Sequence, residues 1–264
     1  MAMELLRLDG RVAIVTGAGR GVGEGIAIAL AEAGAGIVAA ARTESEIDRT
    51  AKTIEERGGR ALAVSADVTR RADMERLVRS AVEHFGRLDI VVNNAGGQET
   101  YSPFLEIGEE DFLHHFDWNT GSAFRLSQLA TPHLLESGKG VILNISSGVG
   151  HIGVRGMLPY GVAKAGLDQL TRTLAEELAP RVRVNALALG AILTPALERT
   201  FEMDPAYHEG MVAKTPLKRI GRTDQIGAAA IFACSDASDY MTGAVIPIDG
   251  GLQDTNLPFK LPDL

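Results

Sequence analysis

The chain has 264 residues, 45% of them apolar, and a formal net charge of −8. That length supports one large α/β domain or two small ones with a sizeable core, and an acidic balance without a basic run argues against a general nucleic-acid binder. The lone Cys234 excludes an internal disulfide and a cysteine-based zinc site and suits a reducing compartment.

Met1 to Gly10 has neither the apolar core nor the cleavage site of a signal peptide. No uninterrupted apolar run approaches the ~18 residues needed to span a bilayer. A soluble cytoplasmic protein with no membrane partner is therefore expected. Arg11–Thr16 is a short apolar run, the form of a strand buried on both faces. The glycine-rich turn Gly17–Gly23 follows, then a helix to about Ala33, with Gly34 as its stop. Strands are predicted at Gly36–Ala41 and Ala61–Ser65, and the charged helix between them runs from Glu44 to about Arg57. A helix from Ala72 to Phe85 leads to a strand at Leu88–Asn93 and a turn through Asn94, Ala95, Gly96 and Gly97.

A long helix is predicted from Glu109 to Leu135 and a strand at Gly140–Ser146. A helix beginning near Tyr160 follows, with Ala165, Leu167, Leu170, Leu174 and Leu178 at helical spacing until Pro180. Val182–Leu187 and Ala244–Asp249 are the last strands of about seven. Strands alternating with helices predict an α/β fold, a doubly wound parallel sheet covered on both faces. Ala191 to about Leu217 is polar, with Pro195, Pro205 and Pro216, and reads as an irregular loop or lid. The tail, 253–264, reads as a frayed end or as an arm packing Leu257, Phe259 and Leu261 on a neighbouring subunit.

Two features carry chemistry. A glycine turn between a strand and a helix is an anion site, because backbone N–H groups and the positive end of the helix dipole face the bound group. Gly17, Gly21 and Gly23 permit the tight turn and the close approach. Tyr160 and Lys164, four residues apart, share one helix face. An adjacent ammonium favours the phenolate, so the tyrosine pKa is expected to fall from about 10, as suits a group that exchanges a proton with a carbonyl or alcohol oxygen. The histidines lack ligand spacing with a carboxylate cluster, so no metal site is expected. His151 and Met157, between Ser147 and Tyr160, are candidate pocket residues.

Thr16-Gly17-x-x-x-Gly21-x-Gly23, Asn93-Asn94-Ala95-Gly96, Ser147 and Tyr160-x-x-x-Lys164 together resemble the short-chain dehydrogenase/reductase family, in order and across Arg11 to Gly251. Leu6–Gly10, Gly190–Thr194 and Thr215–Gly221 are similar to the 7α-hydroxysteroid dehydrogenases, with the 3-oxoacyl-carrier-protein reductases next. The resemblance implies a single Rossmann-type domain over 1–264, with 191–217 as the substrate loop. It implies an NAD(P)-dependent oxidoreductase that interconverts a secondary alcohol and a ketone, on a hydroxysteroid-like small molecule. Reduction of a 3-oxoacyl thioester is the alternative, and a non-catalytic dinucleotide-binding regulator is the rival from another class.

By the same resemblance Tyr160 is the general acid/base, Lys164 tunes it and holds the cofactor ribose, and Ser147 orients the substrate oxygen. The Asn119 carbonyl, with a water, links Lys164 to solvent. Arg20, Val22, Asp67, Val68, Asn94, Ala95, Gly96, Gly190, Ile192 and Thr194 match cofactor contacts, beside the three glycines, Tyr160 and Lys164. An acidic residue at the end of the second strand would bind a ribose 2′-OH and select NAD. This chain has Ala41-Arg42 there, and the Arg42 guanidinium could fork onto a 2′-phosphate, with Arg20 facing the same group. NADP(H) is therefore favoured over NAD(H). Leu189 replaces the proline usual before Gly190, which is expected to loosen the turn carrying Ile192 and Thr194. A homotetramer is implied, with the 109–135 and 160–178 helices paired between subunits.

Overall fold

The computed structural model describes residues 2–99, 101–259 and 261. Its framework is a seven-stranded parallel sheet. In chain order this contains β1 (Val12–Thr16), β2 (Gly36–Ala41), β3 (Arg60–Ser65), β4 (Ile90–Asn93), β5 (Gly140–Ser147) and β6 (Val182–Leu189). A short parallel pair, β7 (Ile192–Leu193) with β8 (Gly221–Arg222), lies apart, and β9 (Val245–Ile248) completes the main sheet. The spatial order is β3-β2-β1-β4-β5-β6-β9. From β1 the chain winds outward through β2 and β3, then returns to place β4 on the other side of β1. The crevice beyond the carboxyl ends of β1 and β4 is thus the topological switch point, where sheets of this kind bind ligands.

Helices α1 (Gly21–Glu32), α2 (Glu44–Glu56) and α3 (Arg71–Phe85) connect the first four strands. Successive residues of β1 point to opposite faces. Ala13 and Val15 join a core with Ile26 and Leu30 of α1 and Ile226 of the late helix α9 (Thr223–Cys234), while Ile14 packs with Met74, Leu77 and Leu126 on the other face. Each such aliphatic side chain contributes about 1.5–3 kcal/mol by leaving water. This double burial is why the strands read as continuous apolar runs. Buried Asp89 fixes the start of the sheet: its Oδ2 accepts the Val12 N–H at 2.8 Å, and both oxygens accept from Arg87.

The helix expected over 109–135 is continuous but not regular. It consists of α4 (Glu109–Phe116), a π turn at Asp117–Gly121 and α5 (Ser122–Ser137). The tyrosine helix, α6, spans Leu158–Leu178.

Residues 191–217 differ from the irregular loop that their prolines suggest. They form β7, α7 (Pro195–Met203) and α8 (Pro205–Lys214). Pro195 and Pro205 open these helices, where a missing N–H costs nothing because the first turn has no intrahelical acceptor for it. The Thr194 hydroxyl caps α7 from the Leu197 N–H, and Asp204 caps α8 from the Tyr207 N–H at 3.2 Å. The prolines mark starts, not breaks.

The tail is packed rather than frayed as far as Phe259. Leu257 is buried, Asn256 donates to Thr215 Oγ1 at 3.0 Å, and Lys214 donates to the Leu257 carbonyl. Phe259 meets Tyr101 edge-on, and Arg155 donates to the Leu261 carbonyl at 3.1 Å. Lys260 and 262–264 of the tail, with Met1 of the opening segment, lie outside the described residues.

Candidate active site

A cavity of about 520 Å³ opens over the carboxyl ends of β1 and β4. Gly17, Arg20, Gly21, Val22, Gly23, Arg42, Asp67, Val68, Asn94, Ala95, Gly96, Ser147, Tyr160, Lys164, Gly190, Ile192 and Thr194 all line it. Of the predicted site residues, Asn119 alone stands back from the wall. Glu46, Glu99, His114 and Trp118 also line it and carry no motif that would have marked them. His114 stacks on Trp118 and lies 3.7 Å from Glu99 at the cleft edge.

The glycines shape the floor. Gly17 and Gly21 adopt φ of 64° and 60°, the left-handed region open to glycine. Gly23 is required for another reason: a Cβ there would lie 2.2 Å from the Gly17 carbonyl oxygen and 2.4 Å from Asn94 Nδ2. Thr16 Oγ1 accepts the backbone N–H groups of Asn94 and Ala95, each at 3.0 Å, and donates to the Val92 carbonyl. Asn94 Nδ2 in turn donates to the Thr16 carbonyl at 2.8 Å. The β1 and β4 turns are therefore one stitched unit. A cradle that rejects side chains at the N-terminus of α1 fits the pyrophosphate of a dinucleotide.

At the rim Arg42 is exposed, beside Asp67 of the neighbouring strand end; burial works to raise the Asp67 pKa, but hydrogen bonds from Thr69, with the charges of Arg42 and Arg70, lower it. Arg20 is drawn aside, with Nη1 3.6 Å from Glu46 Oε1. Of the two arginines expected to face one phosphate, Arg42 is the less committed.

Leu189 remains in β6, buried and paired with Ser147 on one side and Ile248 on the other, and the Gly190 N–H donates to the Ile248 carbonyl at 3.1 Å.

Ser147, at the end of β5, faces the Tyr160 phenol, and both line the cavity. Lys164 lies one turn further along α6, buried, with Nζ donating to the Ile145 carbonyl at 2.9 Å and lying 5.6 Å from the Tyr160 ring centre. The lowered tyrosine pKa expected from this neighbour is not found. Burial pushes the phenol up to about 12, outweighing the opposite effect of the Ser147 hydroxyl, and the nearby Tyr101 adds to the rise. Burial likewise lowers the Lys164 ammonium to about 8, with Asp168 pulling the other way. Helical spacing predicts the neighbour but not the desolvation, which favours the neutral form of both groups.

Asn119 sits in the π turn, a distortion often found at functional sites. Its side chain is fully used: Oδ1 accepts the Gly97 N–H at 2.9 Å, and Nδ2 donates to the Gly97 and His115 carbonyls. It thus braces the 96–97 turn, leaving its backbone carbonyl for any link to Lys164. Of the two suggested pocket residues, Met157 is buried, and neither it nor His151 lines the cavity. Beside Tyr160, Tyr101 lies near Tyr207, and Phe259 is 5.3 Å from Tyr101 and 6.1 Å from Tyr207 between ring centres.

A family model described as enoyl-(acyl carrier protein) reductase matches residues 17–253. The chain is 38% identical to the 7α-hydroxysteroid dehydrogenase of Escherichia coli K12, covering 95% of this chain and 98% of that one. It is 35% identical to a 3-oxoacyl-[acyl-carrier-protein] reductase of Thermotoga maritima, over 94% and 99% of the two chains. A solved 7α-hydroxysteroid dehydrogenase, complexed with NADH and 7-oxoglycochenodeoxycholic acid, superposes with a TM-score of 0.89 at 37% identity, covering 94% of this chain and 96% of that one.

Proposed function

The chain belongs to the short-chain dehydrogenase/reductase family, oxidoreductases of CH–OH groups, and on that premise we propose that it interconverts a secondary alcohol and a ketone using NADP(H), on a bulky hydrophobic, hydroxysteroid-like molecule. The observation that carries this reading is the convergence of Ser147, Tyr160 and buried Lys164 in the same cavity as the glycine cradle. The bound nicotinamide supplies or accepts the hydride. Tyr160, holding its proton at neutral pH, donates it to the ketone oxygen on which negative charge develops. Ser147 donates a second hydrogen bond to that oxygen. Lys164, cationic below about pH 8, favours phenolate formation as the proton leaves and holds the ribose. The aromatic cluster of Tyr101, Tyr207 and Phe259, which reaches Tyr160 through Tyr101, supports a bulky apolar substrate. Ala41 followed by exposed Arg42 supports NADP(H), since no carboxylate stands at the end of β2 to repel a 2′-phosphate.

Reduction of a 3-oxoacyl thioester is the second reading, favoured by the matched family description and by the Thermotoga relative. We place the enzyme in the cytoplasm; among the described residues no helix is long and apolar enough to cross a membrane. Exposed Leu113, Phe116, Phe124 and Val162, on the two helical segments expected to pair, support a homotetramer, which a monomeric mass by light scattering would refute.

Fluorescence titration with NADPH and NADH, followed by turnover of a hydroxysteroid and 3-oxoacyl thioester panel, tests the reading. NADPH should bind more tightly, and Arg42→Ala should weaken NADPH by about tenfold or more while sparing NADH, the loss of one or two charge-assisted hydrogen bonds. Preference for NADH overturns the cofactor assignment. Turnover of thioesters alone favours the second reading, and tight binding without any turnover favours a non-catalytic regulator.

A further inference from the structure

Behind the catalytic face of α6 lies a buried carboxylate that the chemistry above does not use. Asp168 is 1% exposed, and neither of its oxygens has a well-aligned hydrogen-bond partner. It follows Lys164 by one helical turn, so Tyr160, Lys164 and Asp168 form a single stripe. An unpaired buried carboxylate is costly, and its cost falls only if opposite charge faces it. Burial raises its pKa, and Arg172 and Lys164, two cations on its own helix, work against that rise. From the turn after β5, His151 brings Nε2 to 3.3 Å of Asp168 Oδ2 while its own side chain stays 43% exposed. The buried Ser146 hydroxyl of β5 lies against the carboxylate without a well-aligned bond. Phe116 of α4 and Thr120 of the π turn, which carry no charge, pack against α6 at Gly166. There is no room to spare, since a Cβ on Gly150 would lie 2.8 Å from Asp168 Oδ2.

We propose that Asp168 is a positioning residue that holds Lys164 in its ammonium form, and that His151, with Nε2 3.3 Å from the carboxylate at the protein surface, keeps Asp168 ionised. The inference rests on the reading that Lys164 binds the cofactor ribose. It assigns His151, which is not in the cavity, a role from the rear. Burial alone drives Lys164 toward the neutral amine, and Asp168 opposes that drive. Positive charge beside the carboxylate, from a protonated His151, favours its ionised state in turn.

The test is NADPH affinity by fluorescence between pH 6 and pH 9.5 for the wild type, Asp168→Asn and His151→Gln. In the wild type, binding should weaken as Lys164 loses its proton. In Asp168→Asn the weakening should begin about one pH unit lower, giving close to wild-type affinity at pH 6.5 and about tenfold weaker binding at pH 8.5. His151→Gln should move the curve in the same direction by less, and because His151 is half exposed that variant decides the matter if Asp168→Asn does not fold. Parallel curves for wild type and variants overturn this inference alone. A wild type that binds neither NADPH nor NADH overturns both it and the functional reading beneath it.

Discussion

On the dinucleotide side of the cleft, two adjacent strands end in turns bound to each other through Thr16 and Asn94, and recognition there rests on backbone groups and the absence of side chains. Beyond the cavity lining, on the Tyr160 side, Tyr101, Tyr207 and Phe259 come from a loop, α8 and the tail, and meet through ring contacts. The first wall is set by local geometry along two neighbouring strands. The second depends on three segments far apart in sequence reaching one place. The glycine side should therefore tolerate almost no change, whereas the aromatic side should yield gradually and alter which substrate fits.

Tyr160→Phe cuts across both walls and should have the largest effect. Loss of the proton donor should lower kcat by about 10²–10⁴-fold, with NADPH affinity within about threefold of wild type, as stopped-flow kinetics and fluorescence titration can check. Retained turnover would mean another group moves the proton. Next is Gly23→Ala, which forces a methyl group against the Gly17 carbonyl at 2.2 Å. Backbone must shift, at a cost of about 1–3 kcal/mol, and NADPH affinity should fall by one to two powers of ten while the melting temperature drops. Unchanged binding would break the claim that this wall is rigid. Phe259→Ala should be the mildest. KM for the preferred alcohol or ketone should rise by roughly three- to tenfold, consistent with loss of aromatic contacts of about 0.5–1.5 kcal/mol, and NADPH affinity should stay within twofold. A change in NADPH affinity instead would show that the two walls are coupled.

Legibility followed the same division. Thr16, Gly17, Gly21, Gly23 and Asn94 could be picked out in the sequence because the local turn demands those residue types at fixed spacing. Tyr160 and Lys164 could be paired because a helix places residues four apart on one face. The helices at 195–214 were hidden because proline is read as a breaker, while its place at the first helical position depends on a preceding Thr194 or Asp204 turning to cap. Phe259 and Tyr207 could not be associated with Tyr101 at all, since nothing local joins a tail to a loop more than a hundred residues earlier. Glu46 beside Arg20 escaped notice for the same reason.

The sequence by itself determined the alternation of strands and helices, the parallel doubly wound sheet and the residues gathered around its switch point. Each follows from periodicity, turn chemistry or spacing within a few residues. Only the tertiary structure decided the charge states. A helical neighbour promised Tyr160 an easily lost proton, yet desolvation raises its pKa to about 12 and lowers that of Lys164 to about 8. Whether a group is buried, and which distant carboxylate or imidazole faces it, depends on how every element packs, and the free energy of a charge depends on that surrounding medium as much as on its covalent neighbours.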